Sequence, residues 1–391
     1  MSAPRLHIHP QQKTDFDIII VGGGLAGLVS AIMLSSKNKS VLLIEKKTYP
    51  FHKVCGEYVS NEVLEFLRTL GFDPFLHGAS TIKKLRISAP SGKNIYADLP
   101  LGGFGISRFT MDAALLQIAK KNGAELLTAR VTAINFKENI FEVFTNDDQR
   151  FTSRLVIGSY GKRDLLDKKL NRDFIQSHTH YMGVKYHVKT NYPVDEVGLD
   201  NFEGGYCGIV KIEEDQYNLC YLYKRNENFN FKTISELEEK VLFKNPVIKN
   251  LFINSNFLPG TNEIINEISF SRKKLVENHI LMCGDSAGLI TPLCGNGMSI
   301  AIHAAKILSE LILRSGILDT IQHSEKIRIQ LENDYLSLWQ KQFSRRLFWG
   351  RTIQLFFGNT SVTKTALNVI HSIPSMERWL ISKTHGKPIS D

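Results

Sequence analysis

Solid apolar runs and stretches with apolar residues at every third or fourth position divide most of this chain, and strict alternation takes over in its middle. Phe16, Ile18, Ile19, Ile20 and Val21 lead into Gly22-Gly23-Gly24-Leu25-Ala26-Gly27, and Leu28, Ala31, Ile32 and Leu34 follow at helical spacing. The pattern predicts a strand, a tight turn and a helix. A second strand, Ser40 to Ile44, ends at Glu45, and a third is expected over Leu155-Val156-Ile157-Gly158. Far downstream, Ile280, Leu281 and Met282 form a short strand entering Cys283-Gly284-Asp285-Ser286-Ala287-Gly288, and Pro292, Gly295, Asn296, Gly297 and Met298 lead into a helical stretch. Between roughly Asp164 and Ser271, alternation of Tyr181, Val184, Tyr186, Val188 and of Tyr217, Leu219, Tyr221, Tyr223 reads as the strands of a separate sheet.

The glycines carry the first chemistry. Gly22 permits the sharp turn, Gly24 lets backbone approach a pyrophosphate, and Gly27 lets helix and strand pack closely; Leu25 and Ala26 supply first-turn N–H groups. Glu45, with Lys46 beside it, stands where a carboxylate accepts the hydroxyls of an adenosine ribose and repels a 2′-phosphate. This site alone fits FAD and NAD equally. A second glycine signature at Gly284-Asp285 calls for a ligand that spans both, which is FAD.

Gly284-Asp285-Ser286-Ala287-Gly288, with Pro292, Gly295, Gly297 and Met298, closely resembles the "GD" segment of the flavoprotein superfamily of aromatic hydroxylases (p-hydroxybenzoate hydroxylase-like), geranylgeranyl reductases and flavin-dependent halogenases. The resemblance implies that Asp285 bonds the ribityl chain and that backbone from Gly295 to Met298 borders the pyrimidine edge of the flavin. A helix N-terminus there suits the negative charge of reduced flavin. The alternative for Asp285 is an ordinary N-cap. His52-Lys53-Val54-Cys55-Gly56-Glu57 is similar to the "CGE" stretch of the reductases, which implies that Cys55 lies near the flavin; the alternative is a small buried hydrophobe. Ile106-Ser107-Arg108 with Met111-Asp112 resembles the segment whose arginine contacts FAD, against which stands a plain surface ion pair for Arg108.

The chain departs from that family in two places. Where Ala-Asp-Gly is common, it reads Ser159-Tyr160-Gly161, which weakens a NAD(P)H-dependent hydroxylase reading. Neither the Tyr-x-Trp-x-Phe-Pro pattern of the reductases nor the Trp-x-Trp-x-Ile-Pro pattern of the halogenases is present; the nearest stretch is Gly205 to Lys211.

The fold expected is α/β (α+β): a Rossmann-like FAD-binding domain interleaved with a β-sheet substrate domain and a helical C-terminal region. Residues 1–14 are expected to be a flexible N-terminus, 15–163 and 272–315 the parts of the FAD-binding domain, 164–271 the substrate domain and 316–391 the helical region. With 43% hydrophobic residues, the 391-residue chain can bury a large core. Tyr181, Tyr186, Tyr206, His178 and His187 are candidates for an apolar pocket over the flavin, or else core packing. Five cysteines at irregular positions predict reduced thiols, no disulfide framework and no metal.

Met1 to Thr14 lack a signal-peptide core and no long apolar run is visible, so a cytoplasmic protein is expected. From Trp339 onward, eight lysines and arginines accompany only two acids, amid Phe343, Phe348, Trp349, Phe356, Phe357 and Trp379. Such a tail either rests peripherally on an anionic membrane or packs as helices over the substrate lobe. No nucleic-acid motif accompanies the charge.

The leading expectation is an FAD-dependent oxidoreductase that reduces a carbon–carbon double bond in a hydrophobic isoprenoid-, polyketide- or aromatic-like molecule. Alternatives are monooxygenation through a flavin hydroperoxide and a flavin-binding electron-transfer partner without catalysis. No catalytic acid or base is singled out. No second strand-associated glycine fingerprint exists for a resident NAD(P)H, so the donor, NAD(P)H or a partner protein, docks transiently.

Overall fold

The computed structural model describes residues 14–176, 181–225, 231–289, 296–319, 324–356 and 386–389. The chain begins with β1 (Phe16–Val21), α1 (Leu25–Ser35) and β2 (Val41–Glu45), then forms β3 (Tyr58–Ser60), α2 (Leu64–Thr69), β4 (Ser80–Ser88) and β5 (Asn94–Gly105). It continues through α3 (Arg108–Lys121), β6 (Glu125–Thr128), β7 (Val131–Lys137), β8 (Ile140–Thr145), β9 (Arg150–Gly158) and α4 (Leu165–Lys169). The middle holds β10 (Tyr181–Lys189), β11 (Glu196–Phe202), β12 (Gly205–Lys211), β13 (Tyr217–Lys224), α5 (Ile234–Lys240), α6 (Pro246–Ile253), β14 (Asn256–Phe257) and β15 (Glu263–Ile268). Then come β16 (Val276–Glu277), β17 (Ile280–Met282), α7 (Gly297–Ser315) and α8 (Ser324–Phe356).

Two sheets organise these elements. The first runs β16-β17-β9-β1-β2-β6, with β7 and β8 continuing from β9. Its centre is parallel, with β9 and β2 flanking β1, and Ile18, Ile19 and Ile20 have no exposed surface. Parallel strands covered on both faces need such continuous apolar runs, which is why β1, β2 and β17 read as solid blocks. Three separated pieces of chain therefore build one domain: β17 pairs with β9, which pairs with β1.

The second sheet runs β14-β10-β13-β12-β11-β4-β5-β3, with β15 also on β10. It starts far earlier than expected. Strands β3 to β5, within the stretch 15–163 assigned to the cofactor domain, belong to it, because β4 pairs in parallel with β11. One face lies under α5 and α6, where Val184, Val188, Leu219 and Tyr221 pack against Leu237, Leu242 and Ile248. The other face turns to the first domain: a Cβ on Gly183 would stand 3.0 Å from Val54 Cγ1.

A buried polar knot holds the β4–β11 junction. Arg86 donates to both carboxylate oxygens of Asp200, at 2.6 and 3.0 Å, and reaches Glu196 at 3.2 Å. Ser88 also donates to Asp200, and Asn245 donates to Ser88 Oγ and the Asn201 carbonyl.

Of the C-terminal region, α8 packs one face inward. Leu331, Tyr335, Trp339, Phe343 and Leu347 form a buried stripe, while Phe348 is exposed. The Tyr335 hydroxyl donates to the Met282 carbonyl, and the buried Arg346 pairs with Glu62. Among the described residues, no helix is long and apolar enough to cross a membrane. Residues 357–385, with Trp379, lie outside the described residues.

Replacing Arg86 with Met removes the cation from two buried carboxylates, and the expected loss is about 3–5 kcal/mol of unfolding free energy. Urea denaturation followed by circular dichroism measures it; a loss under about 1 kcal/mol would show that the knot is not what secures the parallel β4–β11 pairing.

Candidate functional site

The glycine turn closes against the end of β9. Gly22 has φ of +103°, and a Cβ there would lie 2.5 Å from the Ser159 carbonyl oxygen. A Cβ on Gly27 would run into the Gly22 carbonyl and into Ser159 Oγ at 2.7 Å. Ser159 stitches the turn shut, its hydroxyl donating to the Gly22 carbonyl at 2.7 Å. Gly24 differs. A Cβ there would meet nothing nearer than Arg108 Nη2 at 3.8 Å and the Ser159 carbonyl at 4.0 Å. Gly24 opens α1 without any side-chain cap, no acid stands in the first turn, and Leu25 and Ala26 are buried. The backbone thus leaves open room and uncapped N–H groups, a cradle that fits a pyrophosphate.

Glu45 is buried at the end of β2, and its carboxylate already accepts the Gly23 N–H at 2.8 Å and the Lys47 N–H at 3.0 Å. Each oxygen keeps a lone pair for a ribose hydroxyl. Lys46 turns away to an ion pair with Asp164 at 2.7 Å. Tyr49 was not foreseen; its hydroxyl donates to the Gly23 carbonyl, fixing the turn from its outer side.

The second glycine signature meets the first. Gly284 has φ of +64°, and a Cβ on it would lie 3.0 Å from the Ala26 Cβ in the first turn of α1. Asp285 sits in a single tight turn, Gly284–Ser286, whereas α7 begins only at Gly297. It is therefore not the cap of that helix, nor does it stand at its start as expected. Among the described residues its carboxylate accepts no hydrogen bond, while its backbone carbonyl takes one from Lys273 at 2.9 Å. Burial draws the Lys273 ammonium down to about 8, against the pull of Asp167 and Asp285. Gly297 and the buried Met298 form the uncapped first turn of α7; Pro292 and Gly295 lie outside the described residues.

Arg108, the first residue of α3, does not form a surface pair. Its guanidinium donates from Nε and Nη2 to the two oxygens of buried Asp112, each at 2.7 Å, Lys53 joins Asp112 at 2.9 Å, and the Cys55 sulfur lies beside the guanidinium. Burial alone would raise the Asp112 carboxyl, but Arg108 and Lys53 hold it below its ordinary value. The Arg108 backbone N–H donates to Glu57 Oε1 at 2.9 Å. Glu57 is fully buried and also receives Lys185 Nζ at 2.9 Å and His187 Nε2 at 2.7 Å. Lys185 went unrecognised in the sequence. Its signal was present, since Gly183, Lys185 and His187 interrupt every second position of an otherwise apolar strand.

The pocket candidates divide by the same alternation. Tyr181 and Tyr206 join Leu222, Ile268, Leu289, Leu199, Ile265 and Phe270 in an apolar cluster on the face turned to the first domain. Tyr186 points the other way and donates to Glu238 beneath α5, so it lines no such pocket. His178 lies outside the described residues. Tyr160, in place of the aspartate, fills space between β9 and β17, with its hydroxyl 3.4 Å from Met282 Sδ.

Known proteins resemble this chain over nearly its whole length. Conditioned medium factor receptor 1 of Dictyostelium discoideum is 23% identical over 95% of this chain and 77% of its own length. Digeranylgeranylglycerophospholipid reductase of Methanococcus vannielii is 22% identical over 94% of this chain and 98% of its own. Among solved structures, the flavin-dependent brominase Bmp2 superposes with a TM-score of 0.75, covering 94% of this chain and 93% of its own at 16% identity, which is a likeness of fold. The protein is an FAD-dependent oxidoreductase. Residues 17–223, just over half of the chain, match the family described as Lycopene cyclase protein, and the chain belongs to that family.

Two substitutions separate folding from cofactor binding. Gly24→Ala meets no clash and should leave the melting temperature of the apoprotein within about 2 °C, yet weaken FAD affinity at least about tenfold because the methyl group occupies the cradle. Isothermal titration with FAD checks this, and an unchanged affinity would overturn it. Asp285→Ala should likewise leave folding intact and remove a charge-assisted hydrogen bond of about 1.5–3 kcal/mol, or about ten- to a hundredfold in FAD affinity. A loss of melting temperature with FAD affinity retained would instead mark Asp285 as a structural residue.

Proposed function

We propose that this protein reduces a carbon–carbon double bond in a hydrophobic, isoprenoid-like molecule. The observation that supports it is the apolar cluster of Tyr181, Tyr206, Leu222, Ile268 and Leu289, on the face of the second sheet that turns to the first domain. The names of the family and of the archaeal relative both refer to isoprenoid molecules.

Gly24 and the first turn of α1 hold the pyrophosphate of FAD, Glu45 the adenosine ribose and Asp285 the ribityl chain. The uncapped first turn of α7, with Gly297 and Met298, would offer its N–H groups to the flavin ring. When bound, the flavin supplies hydride transfer. The chain does the rest. The Arg108–Asp112–Lys53 group carries a net positive charge beside Gly24 and Cys55, which favours an anion there. Tyr206 and Leu222 exclude water from the reacting face, so that hydride is not lost to solvent. Electrons come from a donor that docks transiently, either NAD(P)H or a partner protein.

Anaerobic reduction of the FAD-loaded protein, followed by mixing with polyprenyl substrates, tests this reading. The expected result is reoxidation of the flavin without oxygen, with one double bond saturated per flavin by mass spectrometry. Reoxidation only upon admitting oxygen, with an oxygen atom added to the substrate, would favour the hydroxylase alternative and overturn it.

A further inference from the structure

We propose that His52, His187, Glu57 and Lys185 form a proton relay from solvent to the substrate face of the second sheet, loaded as the flavin is reduced and emptied into the substrate; this rests on the double-bond reduction proposed above. The four groups meet in sequence. His52 is half-buried, stacks on Phe109 with 4.8 Å between ring centres and meets the His187 ring edge-on at 5.0 Å. His187 Nε2 lies 2.7 Å from one oxygen of Glu57, and Lys185 Nζ donates to the other at 2.9 Å. Exposure falls along this line to 2% at His187 and to zero at Glu57 and Lys185.

A purely structural role explains the arrangement poorly. The Arg108 N–H, Lys185 and His187 already satisfy the Glu57 carboxylate, so His52, which meets the His187 ring edge-on, adds a titratable group that the fold does not require. His52 Nδ1 is moreover buried without a partner. The inner end of the line borders the apolar cluster. Lys185 faces Cys220 across β10 and β13, and the next inward pair on that face is Gly183 with Leu222, whose neighbour on β12 is Tyr206.

The chemistry balances. Saturating a double bond takes a hydride, with both electrons, from two-electron-reduced flavin, and a proton from the Lys185 ammonium; the π bond breaks as two C–H bonds form. Glu57 passes a proton from the His187 imidazolium to the Lys185 amine, and His187 draws its own from solvent through His52. The charges that face His52 are Lys185 and His187 of β10, together with Glu57 and Glu213. Burial, then the Lys185 and His187 charges, draw its pKa down to about 4, with both glutamates opposing. Burial would raise the Glu57 carboxyl, but Lys185 and His187 outweigh it and keep it ionised. His52 is thus neutral above about pH 4 while the flavin is oxidised, and negative charge added by reduction raises its pKa and draws a proton into the relay.

Potentiometric titration of the FAD-loaded protein against pH, without substrate, tests the loading step. From about pH 4 upward, the midpoint potential of the wild type should fall more steeply with pH than those of His52→Phe, which keeps the stacking, and His187→Gln, which keeps a hydrogen-bond donor. Equal slopes in all three overturn the relay, whatever the substrate proves to be. Delivery is tested by Lys185→Met, which should slow substrate reduction about a hundredfold while FAD affinity stays within about twofold. Because that change strands Glu57 and can prevent folding, His52→Ala with imidazole in the buffer is the second test. Rescue by imidazole supports the relay, and unslowed substrate reduction in His52→Ala overturns delivery. A wild type that saturates no double bond counts against the proposed reaction, and the potential slopes still decide the relay.

Discussion

One carboxylate ties the two sheets of this protein together. Glu57 has no exposed surface and takes the N–H at the head of α3, the ammonium of Lys185 and the imidazole of His187, so that a single ion receives donors from both domains. An isolated carboxylate in such a place would cost several kcal/mol, and its three donors offset that only at their present distances. The consequence is positional. Residues 52–57 are pinned between α3 and β10, and the Val54 side chain is set against Gly183, where any larger residue would push the sheets apart. The buried ion and Gly183 thus fix how closely residues 52–57 approach β10.

The cofactor half of the molecule was largely legible from the sequence, because its constraints are local. Gly22 and Gly27 are needed within one strand, turn and helix, and the solid apolar runs of β1, β2 and β17 follow from burial on both faces. The return of residues 272–315 to this domain came from the second glycine signature, which makes sense only if it meets the first, and Gly284 does lie against Ala26. The membership of β3 to β5 in the second sheet was not legible. A hairpin with one polar face looks the same whichever sheet it joins, and its parallel partner β11 lies a hundred residues on. The Arg86–Asp200 contact that decides the matter joins residues no local pattern connects.

The central cluster was missed for a different reason. His187 was a candidate for the apolar pocket or for core packing, and Lys185 drew no notice, because a lysine on an alternating strand ordinarily marks a solvated position. Here both faces are buried, one under α5 and α6 and one against residues 52–57, and polarity at alternate positions marks a charged interior instead. Tyr186, one step out of phase, takes the core-packing alternative, under α5. The surroundings of Arg108 were not legible either, since Asp112, one helical turn on, and Lys53, far away in sequence, enclose it.

The two faces of the second sheet obey different requirements. The face under α5 and α6 is a packed core whose few polar groups, Tyr186, Tyr221 and Glu238, satisfy one another. The opposite face combines the apolar cluster around Tyr206 of β12 and Leu222 of β13 with Lys185 and His187 of the adjacent β10, which reach Glu57 of the first domain. Apolar surface alone would exclude water but leave a reacting carbon without a proton, while a polar face alone would admit water and lose selectivity. For the proposed reduction, a fully buried ammonium at the edge of an apolar cluster would meet both needs, because the charge is stabilised by Glu57 rather than by solvent. Related enzymes that share the cofactor domain can then differ in chemistry by changing only which side chains occupy the alternate positions of β10, β12 and β13 on that face.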